Sequence, residues 1–339
     1  MNASIIHQPY VSYKTGIHLP VKGVIIMKNA ILILIIAVFF SATDTLAQNQ
    51  SKPANSAKKG YVPLIISDEA KTSLGISSEI IALNNSAVAE AIQGNHQSAI
   101  ASFRKVISRS PHLAQAHFNL GITLTYAKQM EEAVRVLKNL IKIKPDYALA
   151  HAALGEVLYK NGLLDESIYS FRQALKLDPN DVVIMVHLGA SLFEVKNYEE
   201  ALDLFEKALK LKPDFVSAVN NRGVVFQILG KHKQAIADFR RAIALDPNYS
   251  EARNNLGVSL NQTGKKKEAH QEFLEAVRLR PDWNYAIYNL AVSFIELGDR
   301  KSAREQLNAL NKIDESLGAK VKELLWQKYV INAADFDGN

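Results

Sequence analysis

The chain has 339 residues, 48% of them hydrophobic, and glycine and proline are sparse, so it is neither fibrous nor broadly disordered. A formal charge of +6 is mild for this length and does not by itself imply nucleic acid. The absence of cysteine excludes disulfides, thiolate zinc sites, cysteine nucleophiles and lipidation of an N-terminal cysteine.

The first element in chain order begins at Met27. Lys28 gives a positive start, Ala30 to Phe40 is an unbroken apolar run of eleven residues, and Thr45-Leu46-Ala47 supplies small side chains for a peptidase. This is the three-part pattern of a secretory signal. The run is short for a membrane span, which needs roughly 20 apolar residues. Residues 1–47 therefore read as an upstream extension plus a signal, with Met27 an alternative start. Cleavage near Ala47 predicts an exported protein, periplasmic or extracellular, beginning at Gln48; the alternative is an uncleaved anchor in the inner membrane. Residues 48–79 read as a linker. Its first part, to Gly60, is polar and small, while residues 61–79 suggest only a short helix from Asp68 to Leu74, capped by Ser67 and stopped by Gly75.

Beyond the linker the sequence keeps time. Pro111, Pro145, Pro179, Pro213, Pro247 and Pro281 are 34 residues apart, and no proline after Pro63 leaves this register. Gly121, Gly155, Gly189, Gly223 and Gly257 share the period. So do Ala133, Ala201, Ala235, Ala269 and Ala303, with Ser167 in the remaining slot, and so do Phe103, Phe171, Phe205, Phe239 and Phe273. A fixed period of this size denotes stacked supersecondary units. Within residues 114–147 apolar residues recur at helical spacing over two segments. Gly121 and Ala133 are small at matched points, so the two backbones can approach, with Leu137 filling the space beside them. Pro145 stops the second helix, since it lacks an amide hydrogen and crowds the preceding turn. Asp146, Asn180, Asp214, Asn248 and Asp282 follow the prolines and are expected to cap the next helices, with His112 the exception.

This pattern closely resembles the tetratricopeptide repeat family. The fold class is accordingly all-α, a right-handed superhelical solenoid of seven helix-turn-helix repeats over residues 80–317. Repeats begin at Ile80, Ala114, Ala148, Val182, Val216, Ser250 and Asn284. A capping helix over 318–331 sets Leu317, Val321, Leu324 and Leu325 against the last unit, and 332–339 form a tail.

The resemblance implies that the first helix of each repeat lines a concave groove, with repeat positions 2, 5, 6, 9, 12 and 13 facing it. Position 6 carries Asn85, Asn119, Asn221, Asn255 and Asn289, interrupted by Ala153 and His187; position 5 adds Asn84, Asn220 and Asn254. A side-chain amide offers two donors and an acceptor, so a row of them can pair with the backbone of an extended peptide whatever its sequence. The row is similar to the asparagine ladder of O-linked N-acetylglucosamine transferases. Among the groove aromatics, Tyr126, Tyr159, Tyr285 and Tyr288 are candidate anchors, whereas Phe193 is expected to pack between repeats. Positions 2, 5 and 6 hold no lysine or arginine in any repeat, which argues against the carboxylate clamp of chaperone-binding relatives.

Other signals are weaker. Glu131-Glu132, Asp165-Glu166 and Glu199-Glu200 open three second helices, and Lys233, Lys267 and Lys301 occupy that edge later, a polarity suited either to solvent or to head-to-tail association. His117 and His151, one period apart, are expected in slots between helices, and Asp335-Phe336-Asp337-Gly338-Asn339 is too short for a calcium loop. No phosphate loop, G-x-S-x-G or H-E-x-x-H occurs, and neither cofactor nor metal is expected. The reading is a non-catalytic scaffold for an extended peptide or partner protein, outside the cytoplasm. The alternatives are an accessory subunit of an envelope system for glycan export or protein glycosylation, or a self-assembling structural protein.

Overall fold

The computed structural model of the chain describes residues 63–66 and 75–334. The signal at 27–47, the short helix expected at 68–74 and the tail at 335–339 lie outside these residues.

Fifteen helices make up the described residues, with no strand. They form seven antiparallel hairpins: α1 Ser78–Ile92 with α2 His96–Arg109, α3 Ala114–Tyr126 with α4 Met130–Ile143, α5 Ala148–Lys160 with α6 Leu164–Leu177, and α7 Val182–Glu194 with α8 Tyr198–Leu211. The series continues with α9 Val216–Ile228 and α10 His232–Leu245, α11 Ser250–Gln262 and α12 Lys266–Leu279, then α13 Asn284–Leu297 and α14 Arg300–Ile313. A longer helix, α15 Glu315–Ala334, follows and buries Leu317 and Val321 against the last hairpin. None of the described helices is long and apolar enough to cross a membrane.

The hairpins close on a repeated pair of residues. A Cβ added at Gly189 would stand 2.6 Å from the Phe205 ring, and one at Gly257 would stand 2.6 Å from Phe273. Glycine on the first helix therefore admits the aromatic of the second, while the buried alanines at Ala201 and Ala269 let the backbones close in. Ser167 fills the corresponding slot by donating from its hydroxyl to Gly155 O at 2.8 Å. Beyond sequential neighbours, each first helix packs on the first helix of the next repeat, which puts the first helices on the inner wall of the solenoid.

Two details depart from expectation. The Asp and Asn residues after the prolines do not cap. The N-cap position falls one residue later, on Tyr147, Phe215, Tyr249 and Trp283, none of which makes a side-chain cap bond. These side chains pack apolar surface at the joint instead, and only Asp181, which occupies that later position, caps its helix, accepting from Val183 N and Ile184 N. The second departure is a further 34-residue series. The turn inside each hairpin needs positive φ, met by Gly94, Gly162, Gly230, Gly264 and Gly298, while Lys128 and Lys196 take the same conformation at φ 60° and 64°.

Candidate functional site

The first helices present the asparagines as a row, because one residue per 34 occupies the same point on successive inner helices. At the first two repeats that row is engaged. Ile66 N donates to Asn85 Oδ1 at 2.8 Å, and Asn85 Nδ2 donates to Ile66 O at 2.9 Å. Leu64 N donates to Asn119 Oδ1 at 2.7 Å, and Asn119 Nδ2 donates to Leu64 O at 2.9 Å. Each amide thus satisfies both backbone groups of one residue, and neighbouring repeats take residues two apart. A spacing of two is that of an extended backbone, whose alternate residues turn the same edge to one side.

Asn84 holds the readers in place. It is fully buried; its Nδ2 donates to Asn85 Oδ1 at 3.2 Å, and its Oδ1 accepts from Asn119 Nδ2 at 3.2 Å. Side-chain contacts add to the backbone pairing. Ile66 is buried with Ile81, Val106, Leu113 and Ala116, Leu64 packs against the cluster containing Val88 and Phe118, and Ile65 is exposed. Burying an isoleucine side chain contributes roughly 2 kcal/mol. Residues 63–66, part of the stretch expected to be a linker, are therefore an extended segment bound in the groove of their own chain. The sequence did carry a signal for it: Val62 to Ile66 is an apolar island in an otherwise polar arm.

Four repeats later the same triad recurs. Asn220 Nδ2 donates to Asn221 Oδ1 at 3.3 Å, and Asn220 Oδ1 accepts from Asn255 Nδ2 at 3.2 Å. Asn254 Oδ1 accepts from Asn289 Nδ2 at 2.8 Å. All five are buried, yet Asn221 Nδ2 and Asn254 Nδ2 have no hydrogen-bond partner among the described residues. The Nδ2 of Asn221 stands where that of Asn85 donates to Ile66 O.

Between the two triads lie buried Ala153 and His187. The His187 ring stacks on Phe171 with centroids 5.5 Å apart. Burial, aided by the Lys160 charge, pushes its pKa down to about 3, so the imidazole is neutral at ordinary pH. Tyr159 donates its hydroxyl to Glu194 at 3.5 Å; burial and that carboxylate raise the phenol well above its usual range, and burial raises Glu194 despite the bond.

The other aromatics divide. Tyr126 is half-buried and stacks with His96 at 6.0 Å, and Tyr285 is half-buried against the core. Tyr288 belongs to the core itself, and burial raises its pKa, so its ring is structural rather than a free anchor. Phe193 is buried and tilted against Tyr198 at 5.2 Å. His117 and His151 each bond through Nε2 to the carbonyl of their own joint proline, Pro111 at 2.8 Å and Pro145 at 2.9 Å, so the two rings share nothing. The described residues hold no cluster able to bind a metal. The acidic edge is used within the solenoid: Arg104–Glu132 at 2.7 Å, Lys138–Glu166 at 3.5 Å and Arg172–Glu200 at 2.7 Å tie successive second helices together.

Comparison with known proteins places these repeats. Family models described as Tetratricopeptide repeat match residues 81–113, 148–181, 184–215, 216–249, 239–271 and 285–313, and one described as TPR repeat matches 124–162; together they cover more than half of the chain. No curated relative matches the sequence. Among solved structures, the fold is similar to the APC/C hetero-tetramer Cut9-Hcn1, with TM-score 0.64 and 15% identity over 76% of this chain and 51% of that one. The chain thus spans about half the length of that relative. PilF of Pseudomonas aeruginosa aligns with TM-score 0.55 and 22% identity over 65% of this chain and 97% of that one. PilW, described as a widely conserved type IV pilus biogenesis factor, aligns with TM-score 0.55 and 21% identity over 59% and 93%.

Proposed function

From the premise that this chain belongs to the tetratricopeptide repeat family, we propose that it is a non-catalytic scaffold that grips an extended polypeptide by its backbone along the inner wall. One observation carries the reading: Asn85 and Asn119 each bond to both backbone groups of alternate residues of Pro63–Ile66. The wall has the chemistry to hold a peptide irrespective of its side chains, and it does so here with a peptide from its own chain. The groove aromatics and Glu194 then add preferences among sequences. An exported setting for this scaffold rests on the sequence of residues 27–47.

Photo-crosslinking tests the proposal. A benzophenone side chain at half-buried Gln262, on the inner wall, should capture a partner in envelope extract, whereas one at exposed Lys207, on a second helix, should not. Adducts formed equally at both positions, or at Lys207 alone, would contradict a groove-binding scaffold.

A further inference from the structure

Four repeats separate Asn84, Asn85 and Asn119 from Asn220, Asn221 and Asn255, residue for residue. The internal bonds match as well: the position-5 amide donates to its neighbour at 3.2 Å in one triad and 3.3 Å in the other, and accepts from the next repeat at 3.2 Å in both. The difference is the strand. Asn85 Nδ2 donates to Ile66 O, while Asn221 Nδ2, only 1% exposed, has no acceptor among the described residues. A buried donor without an acceptor destabilises a fold, and a carbonyl supplied at that point removes the penalty.

We infer that Asn221, Asn255 and Asn289 form a second strand-reading ladder, which takes an extended segment of a partner polypeptide free of acidic side chains. The inference rests on the backbone-gripping role proposed above and adds place, polarity and register. The polarity comes from the first ladder. Ile66 sits at repeat 1 and Leu64 at repeat 2, so the bound strand runs against the repeats and advances two residues for each. On the second ladder a residue i meets Asn289, i+2 meets Asn255 and i+4 meets Asn221. These three positions must each carry an N–H, so proline is excluded from them and tolerated between them, as at Pro63 beside Leu64.

Side-chain preference also differs between the ladders. The Ile66 pocket of Ile81, Val106, Leu113 and Ala116 becomes Ser217, Ala242, Tyr249 and Ala252 four repeats on, which is more polar and shorter on two sides. Groove positions of repeats 4 to 7 carry Glu194, Glu251 and Glu296 and no lysine or arginine. Arg280 pairs with Glu251, and neither Glu194 nor Glu296 has an ion pair among the described residues. A neutral or basic strand complements that wall, and an acidic one is repelled. The occupant is a partner rather than Pro63–Ile66 of a second copy, because each copy commits that segment to its own first ladder.

The test is an NMR titration of the full mature chain, labelled at asparagine, with the capped heptapeptide Lys-Ala-Lys-Ala-Lys-Ala-Lys. The side-chain amides of Asn221, Asn255 and Asn289 should shift while those of Asn85 and Asn119 stay in place. Asn221→Ala should weaken binding about thirtyfold, the loss expected when two backbone bonds of roughly 1 kcal/mol go. N-methylation of alternate peptide residues should be tolerated, since the unmethylated set still meets the ladder, whereas methylating adjacent central residues should abolish binding. The glutamate counterpart should bind at least about tenfold more weakly. Shifts at Asn85 and Asn119 with release of Leu64 would sink the second ladder and leave backbone gripping intact. Indifference to N-methylation would sink both. The partner assignment is overturned if the Asn221 amide is already protected in the free chain, whether in a concentration-dependent way by a second copy or independently of concentration by the chain's own N-terminal residues. Absence of binding overturns it as well.

Discussion

Repeats 1 and 2 and repeats 5 and 6 carry the same three asparagines in the same internal hydrogen bonds, and they differ in what lies on them. At the first pair, both amides exchange two bonds with an extended segment of the chain itself. At the second pair, the amide equivalent to Asn85 keeps a buried donor without a partner among the described residues. The difference teaches that the ladder belongs to the wall rather than to the strand. The triad is preorganised by Asn84 or Asn220, so binding requires no rearrangement of the readers. A well-satisfied site and an unsatisfied one within a single solenoid also separate what an asparagine contributes to stability from what it contributes to binding.

The largest expected effect is the asymmetry between equivalent substitutions in the free chain. Asn119→Ala removes two bonds to Leu64 and one to Asn84, and should lower stability by about 3 kcal/mol at roughly 1 kcal/mol per bond. Asn221→Ala deletes an orphaned donor while stranding that of Asn220, so its effect should stay within about 0.5 kcal/mol. Equal losses in chemical denaturation would break the comparison.

A smaller effect sharpens it at the gap between the ladders. The folded chain holds His187 near pKa 3, while the unfolded residue titrates near 6.5. Between those values the unfolded chain binds the extra proton, so stability is unaffected above about pH 6.5 and falls as pH drops toward 3. At pH 5 the loss from this one group is about 2 kcal/mol. His187→Asn, which puts a ladder residue in the gap, should remove that part of the fall between pH 8 and pH 5 in urea midpoints. An unchanged slope would show that His187 is not buried uncharged.

The helical hairpins were legible because a period of 34 residues repeats the same local physics: a glycine opposite an aromatic, a small alanine, a proline after the second helix. The cap was misread at the joints because Asp146 and its equivalents look like N-caps, whereas an apolar residue one place later is worth more buried than a hydrogen bond would be at a solvated helix start. The asparagine row was visible as a row. Its pairing with Leu64 and Ile66 was not, since the apolar run at Val62–Ile66 shows a segment to be buried but not that it docks on an asparagine 55 residues away. Helical spacing likewise places Tyr288 on the inner helix but does not say that its ring is buried in the core.

Amide hydrogen exchange at residues 64 and 66 tests the central claim most directly. If asparagine side chains grip alternate backbone residues, both amides are protected in the native chain, Asn119→Ala releases Leu64 first, and Asn85→Ala releases Ile66 first. Each protection should fall by about tenfold or more on loss of its own amide, since two bonds of roughly 1 kcal/mol are removed. Exchange at Leu64 and Ile66 as fast as in an unfolded peptide, or protection indifferent to both substitutions, would contradict the account.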